Sequence, residues 1–412
     1  MKNLAGLIGL GLLASTALMT TARADTTPEA VIVHYADVAE AKYEDSLMTA
    51  KALDAAIESA RAAWLAARVP YQQTEVYRFG NSVVDDWEGR VNAWPLDEGL
   101  IDYVDASYGA ESDENSLFTA NVIANPAIEI NGKTIDAGKI TPQLISETLQ
   151  EAGGIEANVA SGYHAIEFLL WGQDLNGNGP GAGSRPYTDY SLENCTNDNC
   201  DRRREYLAAA SDLLVADLEE MAANWKVGGA ARAALEEAGV AGGLSTILTG
   251  MGSLSYGELA GERMKLGLLL GDPEEEHDCF SDNTHNSHRY DAVGIRSAYT
   301  GVYTRPDGTE LTGPSLAELV SQKDPAIANE LQADLDATIA AMESMVVRAE
   351  TVEAYDQMIA TDNAEGNATV QAAIDGLIKQ TRSIERAIAA LDLGAVELEG
   401  SDSLDSPDAV FQ

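Results

Sequence analysis

The amino-acid sequence predicts an all-α protein made of two helical bundles, with a small β-hairpin inserted in the first. Alanine is abundant after residue 30 and apolar residues recur at helical spacing, whereas alternating β-branched runs are few. The 412 residues exceed what one hydrophobic core usually serves, so two domains are expected. Bundles of similar size leave room for a diverged duplication, although the sequence shows no strict internal repeat.

The first 24 residues are predicted to be a secretory signal peptide. Lys2 precedes an apolar run, residues 4–19, that is too short and too rich in small residues for a confident membrane span. Ala22-Arg23-Ala24 then gives a small-x-small cleavage signature. We therefore expect cleavage after Ala24 and a mature protein in the periplasm or outside the cell, without stable membrane insertion.

Helices are predicted along most of the mature chain. Thr141 and Asp324 each stand before a proline, and Ser315 stands three residues before a glutamate, which are patterns typical of helix N-termini. The predicted helices cover residues 30–60, 61–79, 141–151, 155–171, 200–225, 229–238, 244–270, 287–300, 315–322, 325–361 and 367–391.

One segment breaks the helical pattern. Residues 128–135 alternate apolar and polar side chains around Asn131-Gly132, which is the signal of a two-residue β-hairpin. Two polar stretches, residues 173–186 and 271–286, are predicted to be loops.

The predicted domain boundary lies at Gly228-Gly229. Residues 25–228 then form the N-terminal bundle and residues 229–395 the C-terminal bundle. Residues 396–412 are rich in Ser and Asp and short of apolar side chains, so we expect a disordered tail.

The net charge of the chain limits the classes of ligand that it is expected to bind. There are 67 acidic and 26 basic residues, a formal net charge of −41. Removing Lys2 and Arg23 with the signal peptide makes the mature charge −43. Such a surface opposes sequence-independent binding to nucleic acid or to anionic lipid, so a neutral molecule, a cation or a metal is the expected ligand. A merely solvated acidic surface is the ordinary alternative.

The three cysteines suit an oxidising compartment. Cys195 and Cys200 can close a short disulfide loop just before a helix, which leaves Cys279 over as a buried or free thiol. Because the sequence has no Cys-x-x-Cys pair, a zinc–thiolate site is not expected.

The most informative run is the helix that contains His164 and Glu167. It is apolar almost all round, so these two side chains are expected to be buried and to need partners. One helical turn apart, an imidazole nitrogen and a carboxylate oxygen can chelate one metal ion. The alternative is a buried hydrogen bond between them that only fixes packing.

This run, Gly162-x-His164-x-x-Glu167 followed by Phe-Leu-Leu-Trp-Gly, resembles the signature of the imelysin-like family of secreted bacterial proteins. Residues 93–104 and 282–288 are also similar to that family. The family includes iron-regulated periplasmic proteins and proteins classed as metallopeptidases. The resemblance implies two related all-helical bundles and a metal site containing His164 and Glu167 near their interface.

A metal site needs further ligands. The candidates outside the helix are His285, His288, Asp282, Asp97 and Glu98. For the two histidines the alternative is a polar loop leading into a helix, and for Asp97 and Glu98 it is helix N-terminal capping. His277 lies in an acidic run and is expected to be solvated.

A second metal-like pattern is judged to be a glycine-rich turn. Asp174, Asn176 and Asn178 with Gly179 begin as an EF-hand calcium loop does, but Arg185 occupies the position of the bidentate glutamate. A cation there opposes calcium binding.

Three functions remain open. An exported metal-binding protein, with iron or zinc as the ion, needs only the features above, and an iron-related role would add envelope iron-transport components as partners. A metal-dependent peptidase would need an open coordination position and a free base, and Glu167 cannot be that base if it is a ligand. The third is a non-catalytic peptide- or ligand-binding module with a structural His-Glu pair.

Overall fold

The computed structural model describes residues 26–53, 59–109 and 112–411, so the predicted signal peptide lies outside the described residues. Within them the chain is mainly helical, with two small antiparallel hairpins, which confirms the predicted all-α fold with a β-hairpin insertion. No helix in the described part of the chain combines the length and the apolar character that crossing a membrane requires.

The described residues form fifteen α-helices, two of which are extended by π-helical stretches. The helices are α1 (Pro28–Leu53), α2 (Ala60–Gln72), α3 (Ser82–Glu88), α4 (Pro142–Leu144), α5 (Gly162–Trp171), α6 (Cys200–Trp225), α7 (Ala230–Glu237), α8 (Gly239–Ser253), α9 (Leu266–Leu270), α10 (Thr284–Thr300), α11 (Leu316–Lys323), α12 (Pro325–Thr351), α13 (Tyr355–Ile359), α14 (Ala364–Ala390) and α15 (Asp402–Asp405). The stretch Ile145–Leu149 continues α4, and Leu254–Lys265 joins α8 to α9.

Local sequence signals fix several helix starts. The side chains of Thr141, Ser315 and Asp324 each accept a hydrogen bond from a backbone N–H in the first turn of the following helix, as the sequence predicts. These bonds satisfy donors that have no partner within the helix.

The predicted hairpin pairs β1 (Ala127–Ile130) with β2 (Lys133–Asp136) across Asn131-Gly132. A second hairpin, β3 (Val302–Thr304) with β4 (Glu310–Thr312), was not predicted. Its strands have three residues each, too few for an alternating pattern to be recognised.

Helix packing brings the two halves of the chain together. In the first half α1 packs along α2 and α6, and in the second half α12 packs along α14. Helix α10 contacts both α2 and α12, and α8 contacts α1. One continuous apolar core therefore runs through both halves, and the division at residue 228 stays a prediction.

The C-terminal segment differs from the predicted disordered tail. Ser401 and Ser403 are buried, and the Ser403 hydroxyl donates to the carbonyl of Gly261 at 2.9 Å. A β-carbon at Gly261 would lie 2.3 Å from Ser401, so the glycine makes room for the tail. Serine hydroxyls and a small-residue groove hold this segment, features that its composition does not reveal.

Candidate metal centre

Helix α5 carries the predicted ligands and is buried along all ten of its residues. It begins at Gly162, seven residues later than predicted, because the backbone is extended at Ile155 (φ −108°, ψ 115°) and at Ser161 (φ −127°, ψ 177°). Gly162 itself has φ 80°, a conformation accessible mainly to glycine. Helix α5 therefore enters the core at Gly162, where its first turn packs against the backbone of Val91.

Gly162 allows this close passage. A β-carbon at this position would lie 2.4 Å from the carbonyl oxygen of Val91, and the Tyr163 N–H donates to that same oxygen at 2.7 Å. We expect Gly162→Ala to lower the free energy of unfolding by about 3 kcal/mol, since it combines a strained φ with a backbone clash. Urea unfolding checks this, with Gly89→Ala as the control because a β-carbon there meets no atom within 4 Å. Equal losses in both variants would contradict the prediction.

His164 and Glu167 are brought together as the sequence predicts. The Nδ1 atom of His164 lies 3.1 Å from Oε2 of Glu167, and both side chains are fully buried. Ser281 fixes the other carboxylate oxygen, donating from its backbone N–H at 3.0 Å and from its hydroxyl at 2.6 Å. Both carboxyl oxygens of Glu167 thus have hydrogen-bond partners, while Nε2 of His164 has none among the described residues.

His277 and Asp278 complete the group, and the sequence analysis missed both. One ligand atom from each of His164, His277 and Asp278 lies within 4.8 Å of the others. The expectation that His277 is solvated is wrong, since it is 5% exposed and its ring centroid lies 4.7 Å from that of His164. On another side of His164 the Trp94 ring lies 5.0 Å away.

Asp278 is held by three donor side chains, one in α2 and two at the start of α10. Nη2 of Arg68 donates to Oδ1 at 2.7 Å, Nδ2 of Asn283 donates to Oδ2 at 2.9 Å, and the Ser287 hydroxyl also donates to Oδ2. Burial alone would raise the pKa of Asp278, but the charge of Arg68, together with the hydrogen bonds from Ser287 and Asn283, holds the pKa below its usual range. Asp278 is therefore ionised in the folded protein.

The two histidines are neutral in this environment. Burial, reinforced by the charge of Arg68, lowers the pKa of His164 to about 3. Burial and then Arg263 bring the pKa of His277 well below its usual value. Neutral imidazoles present the lone pairs that metal ions bind. Burial and the neighbouring Asp278 raise the pKa of Glu167, so a positive charge nearby would stabilise its ionised form.

The unpartnered atoms fit a metal ion. Nε2 of His164 and Nδ1 of His277 are both buried without a hydrogen-bond partner in the described part of the chain. Buried polar atoms in proteins are normally satisfied, and leaving one unpaired costs about 1–3 kcal/mol. Two imidazole nitrogens and a carboxylate oxygen are a donor set suited to zinc or iron.

The other predicted ligands lie outside this group. His285 and His288 are buried in the first turns of α10, where Nε2 of His285 lies 3.0 Å from the Asn286 amide and the His288 ring contacts Tyr355. Neither ring nitrogen of His288 has a hydrogen-bond partner among the described residues. Their role as ligands stays a prediction.

The predicted acidic ligands have separate surroundings. Asp97 precedes the turn Glu98–Leu100, and its carboxylate accepts from the Asn115 amide. Glu98 is buried, and Asp282 is half-buried with φ 55°. None of the three belongs to the group around His164.

A cleft leads to the metal-ligand group. Its volume is about 530 Å³, and both Trp94 and His277 line it. Arg78 and Arg263 are its cationic residues. Its carboxylates are those of Asp85, Glu88, Glu151, Glu156, Glu258, Glu262 and Glu275. The excess of carboxylates makes the cleft attractive to cations.

The structure also joins Cys195 and Cys200 in a disulfide and leaves Cys279 as a buried free thiol.

The chain is similar to known proteins both in sequence and in fold. A family model described as Imelysin matches residues 21–384. A candidate iron-regulated protein A precursor from Parabacteroides distasonis has a similar crystal structure, with a TM-score of 0.62, 18% identity, and coverage of 88% of this chain and 95% of that one. An imelysin-like protein from Psychrobacter arcticum aligns with a TM-score of 0.53, 18% identity, and coverage of 89% and 97%. No curated protein sequence matches the chain. At 18% identity these likenesses show a shared fold.

Proposed function

This chain belongs to the imelysin family, and from that premise we propose that it is an exported, periplasmic protein that binds a metal ion with His164, His277 and Asp278. The observation that carries the proposal is the group of three buried ligand atoms within 4.8 Å of one another. Two buried imidazole groups beside an ionised carboxylate, each with a nitrogen that lacks a hydrogen-bond partner among the described residues, are otherwise hard to explain in a protein core.

In this proposal Glu167 orients His164. Its Oε2 accepts from the Nδ1–H of His164, which leaves Nε2 as the donor atom for the metal. Histidines that bind metals usually donate their other N–H to a carboxylate or carbonyl in this way. From the sequence, Glu167 is instead expected to be a metal ligand itself. The two roles predict different losses of metal affinity when Glu167 is replaced.

Iron and zinc both suit two imidazoles and a carboxylate. An iron-related role is supported by the name of the Parabacteroides distasonis protein, which is described as iron-regulated. The acidic cleft that reaches His277 would raise the local concentration of cations and give them access to the group. Envelope components that deliver or remove the ion are the partners that such a role requires.

The test is equilibrium metal binding to the purified mature chain, with iron and zinc as separate probes. We expect His277→Gln to weaken binding by at least about 100-fold, because it removes a ligand whose free nitrogen has no protein partner. Glu167→Gln is expected to weaken binding about 10–100-fold, as the loss of an orienting carboxylate does.

His34→Gln is the matched control, since His34 is also buried but lies outside the group, with its Nε2 2.8 Å from the carbonyl oxygen of Gly301. It should retain wild-type affinity. If neither metal binds to the wild type, or if His277→Gln binds as tightly, the proposal is wrong and a module with a structural His-Glu pair becomes the better account.

A metal-dependent peptidase is the second candidate, and one observation favours it. Burial and then the charge of Glu75 raise the pKa of Glu88 to about 7, and Glu88 lines the same cleft as His277. A carboxyl group poised near neutral pH suits a general base. Cleavage of unstructured peptides that a chelator abolishes would support this activity, and a peptide library left intact would count against it.

A further inference from the structure

We propose that a pocket formed by Glu98, Asp174 and Glu276 binds a second cation, Ca²⁺, independently of the histidine group. The pocket is a cavity of about 10 Å³, close to the space that a single water molecule or ion occupies. Its polar lining consists of the acidic side chains of Glu98, Asp174, Glu274 and Glu276, together with Cys279.

Glu276 is the strongest indication of a ligand. It is 1% exposed, and its Oε2 has no hydrogen-bond partner among the residues that the structure describes. Within those same residues, Glu276 forms no ion pair with lysine, arginine or histidine, and neither do Glu98, Asp174 and Glu274. A buried carboxylate without a counter-charge is costly, so a cation in the pocket would stabilise the fold.

Two further carboxyl groups surround the pocket. Asp356 in α13 and Asp282 lie close enough to Glu276 to act on it electrostatically, and both carboxylate oxygens of Asp356 and Oδ1 of Asp282 are buried without a hydrogen-bond partner among the described residues. The loop that carries Asp174 is fastened to α13, since Nδ2 of Asn178 donates to the backbone carbonyl of Asp356 at 2.9 Å. Acidic residues from segments far apart in the sequence therefore lie close together at this pocket.

The chemistry of these residues favours calcium. Ca²⁺ takes six to eight oxygen ligands in a flexible arrangement, whereas Mg²⁺ demands a tighter octahedron. Among the described residues, no three of these carboxylates place oxygens within 4.8 Å of one another, so binding needs side-chain rotation and water ligands, which calcium tolerates.

This proposal also accounts for the incomplete EF-hand pattern. Arg185, in the position of the bidentate glutamate, is 6% exposed and pairs with Asp102 at 2.5 Å, so it serves another part of the fold. The buried carboxylates come instead from Glu98 and Glu276, far from the loop in sequence. The pocket is therefore an assembly of three segments, and Asp174 is the acidic residue that the loop contributes to it.

The test is Ca²⁺ titration of the full mature chain by calorimetry at about 0.15 M salt, where diffuse attraction to the acidic surface is screened. We expect saturable binding of one ion, with a Kd on the order of 10⁻⁵ to 10⁻⁴ M. Glu276→Gln and Asp174→Asn should each weaken binding at least about tenfold. Glu276→Gln replaces a buried carboxyl group, one oxygen of which has no hydrogen-bond partner among the described residues, with a neutral amide of the same size, so it should fold at least as well as the wild type.

Two controls keep the outcome decisive. Asp336→Asn changes an exposed carboxylate and should leave Ca²⁺ affinity unchanged. His277→Gln, which disables the proposed metal centre, should also leave it unchanged, so the two proposals can fail separately. Absence of binding at about 1 mM Ca²⁺, equal affinity in Glu276→Gln and the wild type, or loss of binding in His277→Gln would each overturn the proposal.

Discussion

Replacing Arg68 with methionine is expected to lower the free energy of unfolding of the metal-free protein by about 3–5 kcal/mol. Arg68 is 1% exposed, and its guanidinium donates to Asp278 at 2.7 Å and to Asn92 at 2.6 Å. Without it, the Asp278 carboxylate stays buried beside Glu167 with no positive side chain against it. Breaking a buried pair from one side is far more harmful than losing an exposed pair.

A bound metal ion should restore part of the folding stability that Arg68→Met loses. A cation bound by Asp278 would supply the positive charge that Arg68→Met removes, so zinc should stabilise the variant more than the wild type. Saturation at about 100 times Kd corresponds to about 2.7 kcal/mol of linkage. Urea unfolding with and without zinc measures both effects, and Arg296→Met, in a half-exposed ion pair with Asp336, is the control, with an expected change below about 1 kcal/mol. A variant as stable as the wild type, or one indifferent to zinc, would contradict this account.

Replacing Asp102 with asparagine should have an effect of similar size in the first half of the chain. Asp102 is 1% exposed and pairs with Arg185 at 2.5 Å and with Arg203 at 2.6 Å. The variant leaves two buried guanidinium groups short of negative charge, with Asp189 3.4 Å from Arg185 as a remaining partner. We expect a loss of about 3–5 kcal/mol, compared with Asp336→Asn as the exposed control.

The effect of Asp102→Asn should depend on pH. Burial alone would raise the pKa of Asp102, but the hydrogen bond from Arg203 and the charge of Arg185 bring it below its usual 3.8. The folded state therefore binds this proton less readily than the unfolded state. Above about pH 4 the ionised carboxylate makes its full contribution to the free energy of unfolding. It is lost as the pH falls below that value, so the stability gap between wild type and variant should close in acid. A gap that stays constant from pH 7 to pH 3 would contradict this role.

Features that depend on neighbours in sequence were predictable. Capping side chains such as Thr141 and Asp324, the hairpin at Asn131-Gly132 and the His164–Glu167 pair follow from spacing alone. The late start of α5 was missed, because Ile155 and Val159 stand at helical spacing from the apolar residues of α5 although the chain is extended at Ser161.

Features that depend on distant segments were missed. His277 and Asp278 follow three glutamates, a composition typical of a solvated loop, and they meet His164 only after more than 100 residues of intervening chain have folded. Their burial depends on partners such as Arg68 and Ser287, which no local pattern connects to them. The same reason applies to the tail, whose serines are held by Gly261 in a distant helical stretch.

The most direct test of the central claim is a crystal structure of the mature protein soaked with zinc or iron, with the ion located by its anomalous scattering. Our account predicts one strong peak bound by Nε2 of His164, by His277 and by Asp278, with Glu167 still hydrogen-bonded to Nδ1 of His164. A peak elsewhere in a protein that binds the metal in solution, with none at this group, would contradict the account.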